Sequence, residues 1–284
     1  MSGEAKQLGV TDHSRDSAGL TYVYPVVSRR AGGVSVGINL NPNNACNWRC
    51  IYCQVPGLKR GSAPPIDLGQ LERELRGFID TLLHGDFMRK HVPEAARRIV
   101  DIAFSGNGEP TSAREFPDAI ELAGRVVRDT GLEGKVKIRV ITNGSLLGRK
   151  RVQQGLRRLG ELGGEAWFKV DAGSAEGYRR INGVEISPES VARNLHRCAQ
   201  LCPTWVQTCL FALDAASPGD EEVQAYLDVL ERAGSANLSG VHLYGLARPS
   251  LQPEAERLSR LPQDRLEAIA ARIRALGLAV SVSV

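Results

Sequence analysis

The sequence predicts an α/β protein, a partial (β/α)6 barrel of the TIM type with parallel strands. Three observations carry this. Short apolar runs rich in β-branched residues alternate six times with stretches of helical periodicity. The runs are apolar nearly throughout, the pattern of parallel strands covered by an outer layer of helices. The segments that close them, such as "FSGNGEPT", "ITNG", "KVDAG" and "LYGLARP", fall at carboxyl ends, where parallel α/β folds gather their chemistry. Six units are fewer than the eight of a closed barrel, so an open, partial barrel is expected.

The elements follow in order. "VSVGINL" (34–40) reads as the first strand and runs into a cysteine-rich loop. Leu68, Leu71, Leu75, Phe78, Ile79 and Leu82 share one helical face. "RIVDIAFSG" (98–106) is the second strand, and Phe116, Ile120, Ala123 and Val127 mark its helix. "KVKIRVITNG" (135–144) is the third, with Val152, Leu156 and Leu159 on the helix that follows. "AWFKVDAG" (166–173) and "WVQTCLFAL" (205–213) are the fourth and fifth. Each precedes a Ser-Pro pair, Ser187-Pro188 and Ser217-Pro218, read as a capping side chain with proline in the first turn. "LSGVHLYG" (238–245) is the sixth, Leu266, Ile269, Ile273 and Leu276 stripe the last helix, and "LAVSVSV" ends the sequence.

Length and composition set the outer limits. The 284 residues, 42% hydrophobic and 24% charged, suit one globular barrel with a large core. Residues 1–24 are expected to form a loosely ordered N-terminal extension and 25–284 the barrel domain. A net charge of +4 permits an anionic partner and falls well short of an obligate nucleic-acid binder. The polar N-terminus carries no signal-peptide pattern and no run reaches the length of a membrane span, so a cytoplasmic protein is expected. Clustered thiols in such a reducing compartment more often bind metal or do redox chemistry than pair as disulfides.

"NNACNWRCIYCQ" (43–54) holds Cys46, Cys50 and Cys53 at spacings of four and three. A structural zinc site is normally closed by four ligands, and an iron–sulfur cluster usually by four cysteines. Three thiolates on one loop leave a position open, which catalytic metal sites keep and structural sites give up. The alternatives are unliganded thiols, or half of a zinc site completed by a distant residue. A glycine- and asparagine-flanked loop at a strand end is poor core packing, which disfavours them.

"CNWRCIYC" resembles the CxxxCxxC signature of the radical S-adenosylmethionine (radical SAM) superfamily, including Tyr52 before the last cysteine. "FSGNGEPT" resembles that superfamily's Gly-Gly-Glu-Pro segment, and "ITNG" and "KVDAG" its third- and fourth-strand segments. The opening from Tyr24 to Gln54 is similar to the subgroup containing the wybutosine (tRNA guanosine) synthases. The resemblance spans roughly residues 25–250, with the motifs in the expected order. It implies that Cys46, Cys50 and Cys53 ligate a 4Fe–4S cluster whose fourth iron is chelated by the amino and carboxylate groups of S-adenosylmethionine. Gly106, Gly108 and Glu109 would then meet the methionine amino group. Tyr52 would lie near the adenine, Asn143 would reach the ribose or the methionine carboxylate, and Leu243–Gly245, including Tyr244, would flank the adenine. One-electron reduction would release a 5′-deoxyadenosyl radical that abstracts hydrogen from substrate.

Other residues are candidates on their own chemistry. Lys169 and Asp171 alternate with Val170 and would point the same way, and charges inside a barrel are costly unless paired, which favours a functional pair over the alternative of a simple internal ion pair. Arg248, just past the last strand, suits a carboxylate or phosphate, and Arg29-Arg30 suits steering of an anionic substrate. These three, Lys169, Asp171 and Arg248, are taken as catalytic candidates. Cys198, Cys202 and Cys209 raise the question of an auxiliary cluster. The run Val191, Leu195, Cys198, Cys202 continues a helical apolar stripe, and Cys209 lies within a strand, which favours packing roles. His196 lies off that stripe and is expected to face solvent.

Wybutosine synthases carry a second cysteine set upstream, which has no counterpart here, and the flavodoxin-like domain fused in some members is also missing from this sequence. An external electron donor of flavodoxin or ferredoxin type is therefore expected, and the substrate, small or macromolecular, is undetermined. Beside hydrogen abstraction from such a substrate stand three readings: a tRNA-base-modifying enzyme, a glycyl-radical-enzyme activase, and a zinc-binding module without catalysis. "GRKRVQQGLRRLG" (148–160) supplies a basic run for the first, although such runs are usually solvated helix faces.

Overall fold

The computed structural model describes residues 19–28 and 32–283. Eight strands form one sheet in chain order: β1 (Val23–Ser28), β2 (Gly33–Ile38), β3 (Ile99–Phe104), β4 (Lys137–Thr142), β5 (Glu165–Lys169), β6 (Thr204–Cys209), β7 (Gly240–Tyr244) and β8 (Val280–Ser283). All neighbours from β2 to β8 pair parallel, and β1 joins β2 antiparallel from Val23↔Ile38 to Ser28↔Gly33. Six helices fill the crossovers: α1 (Leu68–His84), α2 (Phe116–Asp129), α3 (Lys150–Glu161), α4 (Pro188–Ala199), α5 (Asp220–Arg232) and α6 (Gln263–Arg274). The mostly parallel α/β fold is the one expected. The sheet order leaves β1 and β8 as edges, yet Tyr24 and Ser283 line the same cavity, so the sheet is curled into an open barrel.

The helices form for the reasons the periodicity gave. Leu71, Leu75 and Ile79 of α1 are fully buried, as are Ile120 and Ala123 of α2 and Leu156 and Leu159 of α3. Each such large apolar chain contributes roughly 1.5–3 kcal/mol on leaving water. Asp67 caps α1 by accepting the Gln70 N–H at 2.9 Å, and Ser187 caps α4 through Ser190 N–H at 3.2 Å. Ser217-Pro218 differs from the expectation. Helix α5 begins at Asp220 with Gly219 as its N-cap, so Pro218 stands outside the helix. The acidic first turn of Asp220, Glu221 and Glu222 suits that helix terminus instead.

β1 was not foreseen, because Pro25 sits in its middle. As an edge strand with one neighbour, β1 tolerates a residue that cannot donate to a ladder. Of the expected extension over 1–24, residues 1–18 lie outside the described residues. The rest is anchored: the Glu74 carboxylate accepts the N–H groups of Thr21, Tyr22 and Val23 at 3.1, 2.7 and 3.2 Å. Arg29 and Arg30 also lie outside the described residues. Among the described residues no helix is long and apolar enough to cross a membrane.

Candidate active site

The loop after β2 is built by asparagines. Asn39 accepts the N–H groups of Asn41 and Asn107 at 3.0 and 3.1 Å, joining this loop to the one after β3. Asn41 Nδ2 donates to Ala45 O at 2.9 Å, and Asn44 takes a left-handed φ of 55°. Buried Trp48 then anchors the turn against Tyr178, 6.3 Å between ring centroids. Cys53 N–H donates to Cys50 O at 3.0 Å, and Cys53 O accepts from Leu251 N–H and Ser250 Oγ at 3.0 and 3.2 Å. The three thiols come out half-buried on the wall of one cavity of about 370 Å³. Among the described residues no three His, Cys, Asp or Glu side chains converge on a point that one ion would fill. Burial, assisted by the Glu109 charge, pushes the Cys46 thiol up to about 11; burial and the Asp171 charge push Cys50 to about 12.

Glu109 closes the neighbouring loop and is buried. Oε1 accepts from Thr111 N–H at 3.1 Å, Thr111 Oγ1 at 2.5 Å and Thr142 Oγ1 at 2.6 Å, while Oε2 accepts the Asn143 N–H at 2.7 Å. Burial raises its pKa above the ordinary glutamate value, against the pull of these four donors. Gly106, with φ of 141°, lies against the Asn39 side chain, and a Cβ at Gly108 would strike Ala45 O. The close approach these glycines permit is therefore that of the cysteine loop onto the Glu109 loop. Asn143 reaches the cavity wall, but its amide is engaged inside the protein: Nδ2 donates to Asn47 Oδ1 at 2.9 Å, and Oδ1 accepts from Ser145 Oγ at 2.7 Å.

Asp171 is a hub beneath the cavity rather than part of its wall. Oδ2 accepts from Tyr52 OH at 2.5 Å and Asn182 Nδ2 at 2.9 Å; Oδ1 accepts from Cys209 N–H at 3.1 Å and Lys169 Nζ at 3.5 Å. Lys169 does face the cavity, donating to Tyr244 OH at 3.1 Å with its ammonium 5.0 Å from the Tyr52 ring centre. Burial works against that ammonium, but the charge of Asp171 beside it holds the Lys169 pKa above the ordinary lysine value. Arg248 lines the rim and donates to Gln54 Oε1 at 3.2 Å.

Below this layer the strands add charges that the motifs did not announce. Arg139 of β4 bridges Asp101 of β3 and Glu165 of β5, the latter at 2.7 Å, and its guanidinium lies 4.9 Å from the Trp167 ring centre. Asp101 is the lone charge of β3, but β4 also carries Lys137 and β5 also carries Lys169, so the sequence does not single out the partnership. The structure thus brings Cys46, Cys50, Cys53, Tyr52, Gly106, Gly108, Glu109, Asn143, Lys169, Tyr244 and Arg248 to one cavity, with Asp171 under it. Cys198 and Cys202 are buried in the core, with Cys202 just past the end of α4. Cys209 packs with Ile51 and Phe211 and touches the cavity wall. His196 is partly buried, its Nδ1 3.0 Å from Ala233 O, rather than turned to solvent.

A curled parallel sheet carrying three thiols and a buried carboxylate at its carboxyl end defines a cofactor-dependent α/β barrel enzyme. The model of the Radical SAM superfamily matches residues 40–214, and the chain belongs to that superfamily. A UPF0026 protein of Helicobacter pylori is 30% identical over 159 residues, 56% of this chain and 44% of the relative. A UPF0026 protein of Synechocystis is 28% identical over 169 residues, 58% of this chain and 55% of the relative. The chain thus spans about half the length of these relatives. In fold it is similar to a radical SAM methyltransferase from Sphaerobacter thermophilus, with a TM-score of 0.60 at 15% identity over 92% of this chain and 68% of the other. It is also similar to Streptococcus suis SuiB bound to S-adenosylmethionine, with a TM-score of 0.58 at 11% identity over 89% of this chain and 51% of the other.

Proposed function

We propose that this chain cleaves S-adenosylmethionine reductively and uses the product to take hydrogen from a substrate held in the barrel. The observation that carries this reading is the meeting of three thiols and a buried carboxylate at one cavity. Among the described residues Glu109 forms no ion pair and its Oε2 accepts one hydrogen bond, from the Asn143 N–H, so an acceptor position remains for a cationic group. That fits an ammonium beside a cluster whose three thiol ligands lie on the adjoining loop.

Cys46, Cys50 and Cys53 would hold the cluster, and ligation would release the protons that burial keeps on the thiols. Glu109 would receive the methionine amino group, with Gly106 and Gly108 letting the two loops close on each other. Tyr52, Asn143 and Tyr244 would wall the cofactor, Asn143 chiefly by fixing the turn at Asn47. When bound, cluster and cofactor supply one-electron cleavage at the sulfonium and hydrogen abstraction, chemistry the protein cannot perform with side chains alone. Lys169 and Arg248 would orient an anionic or polar substrate group, and Asp171 would position Lys169 and Tyr52 from below. An external one-electron donor of flavodoxin or ferredoxin type completes the scheme. The relatives reported above are UPF0026 proteins, so a tRNA substrate rests only on the resemblance of the N-terminal segment to wybutosine synthases.

Anaerobic reconstitution with iron and sulfide, followed by dithionite and S-adenosylmethionine, tests this reading. 5′-Deoxyadenosine from the wild type and none from Cys50→Ala is the expected result. A cluster-loaded wild type that leaves the cofactor intact would refute it.

A further inference from the structure

Between the fourth strand segment and α4 the chain makes one turn of π-helix, Tyr178–Asn182, which ends on Gly183 at a left-handed φ of 62°. Nothing in the motifs points to it, yet its end is bound to the cysteine loop on both sides of Cys50. Asn182 O accepts the Arg49 N–H at 3.0 Å, and Ile181 O accepts the Ile51 N–H at 2.9 Å. Gly183 O accepts from the Arg60 guanidinium of the same loop. The Asn182 side chain, fully buried, goes to the thiol itself, Nδ2 lying 3.2 Å from Cys50 Sγ and 2.9 Å from Asp171 Oδ2.

The orientation of that amide is dictated by its surroundings. Both N–H bonds are spent on a sulfur and a carboxylate, and Oδ1 is buried without a hydrogen-bond partner. Turning the amide over would set an oxygen against the carboxylate of Asp171. A buried acceptor left unpaired costs about 1–3 kcal/mol, so the fold keeps the donor on the thiol at the expense of the carbonyl. Asp171 is in turn fixed by Tyr52, Lys169 and the Cys209 N–H. π-turns of this kind recur at functional sites.

We propose that Asn182 is a positioning residue for the cluster: its amide donates to the Cys50 thiolate and raises the reduction potential. This rests on Cys50 being a cluster ligand, as proposed above. An N–H dipole aimed at a ligating sulfur favours the more negative, reduced state, and hydrogen bonds to sulfur are among the determinants of cluster potential. Because the Asn182–Asp171 bond runs on to Lys169 and Tyr52 in the cavity wall, the same donor ties the cluster's electronic state to the walls of the cofactor cleft.

The test compares anaerobically reconstituted wild type with Asn182→Leu and Asn182→Ala. Iron and sulfide are counted per chain, and the midpoint potential is read by dye-mediated titration with EPR detection. A more negative midpoint in a variant that keeps its cluster supports the role. An unchanged midpoint in a cluster-replete variant overturns it. Should neither variant hold a cluster, reduced wild type carrying asparagine labelled with 15N at Nδ2 is examined by pulsed EPR. A 15N coupling with an exchangeable proton then supports the bond to Cys50, and its absence overturns it. A wild type that takes up no iron and sulfide at all refutes the cluster reading, and is thereby distinguishable from a failure of Asn182.

Discussion

Glu109 Oε2 accepts the backbone N–H of Asn143 across 2.7 Å, binding the loop after β3 to the loop after β4. The same carboxylate accepts from Thr142 Oγ1 and from both Thr111 donors, so one side chain organises two strand ends. It is therefore a structural keystone, and under the reading proposed above it is also the group that would receive the cofactor ammonium. Substitution separates the two roles.

Glu109→Gln keeps the shape and one acceptor oxygen but presents an NH2 to a ring of donors. Leaving one or two of these unpaired is expected to cost about 1–3 kcal/mol in urea unfolding. Loss of the charge weakens S-adenosylmethionine binding at least about tenfold in equilibrium dialysis with the cluster-loaded protein, the scale of one charge-assisted hydrogen bond. Unchanged affinity would remove Glu109 from the cofactor.

The cysteines divide into two sets by position. Cys46→Ala, Cys50→Ala and Cys53→Ala are each expected to abolish stable cluster loading, read as iron and sulfide per chain and the visible charge-transfer band. Cys198→Ser and Cys202→Ser should keep the cluster and lose stability instead. Both thiols are buried in the apolar core, where an added hydroxyl costs about 1–3 kcal/mol unless bonded. Loss of iron from either variant would establish an auxiliary cluster after all.

The cysteine loop was legible from its spacing, three thiols within eight residues just after an apolar strand run, and the Glu109 segment through its resemblance to the Gly-Gly-Glu-Pro segment of radical SAM proteins. Lys169 was legible through alternation, since β5 turns every second residue inward. Asp171 was misjudged by the same logic: β5 ends at Lys169, and two residues further on the chain has left the sheet and turned the carboxylate beneath the wall. Asp101, Arg139 and Glu165 escaped because their partnership is made across three strands, which no local pattern records. Asn182 escaped because a single π-turn has no period to detect. Pro25 hid β1, for a proline in mid-strand argues against a strand until the edge position is known.

Gly108→Ala tests how closely the two loops must meet. An added Cβ would strike the carbonyl oxygen of Ala45, the residue before Cys46, and come within 2.8 Å of the Asn41 side chain. Neither neighbour is the end of a flexible chain, so the loops must separate. The expected cost is about 1–3 kcal/mol, seen in thermal unfolding, together with faster loss of iron to a chelator. A variant as stable as wild type that loses iron no faster would show that the contact is not needed.

Asp101 supplies a test by pH. Burial raises its pKa above the ordinary aspartate value even though Arg139 and Ser35 both donate to it. In the unfolded chain it releases its proton near its usual pKa of about 3.9, and in the fold it holds the proton to higher pH. Between those two values the folded state binds more protons, so stability falls as pH rises, by at most about 1.4 kcal/mol per unit. The contribution is complete below the unfolded pKa and gone above the folded one. Asp101→Asn has no proton to lose, while its amide still offers an oxygen to Arg139 or Ser35, and Arg139 retains Glu165 at 2.7 Å. The unfolding free energy of the variant relative to wild type should therefore increase as pH rises from the ordinary aspartate value of about 3.9 and level off once the folded carboxyl has ionised. Urea titrations across that range, with both proteins folded throughout, decide it: a constant difference means that Asp101 titrates alike in both states, and a difference that shrinks with rising pH means that Arg139 holds it ionised more strongly than burial opposes it.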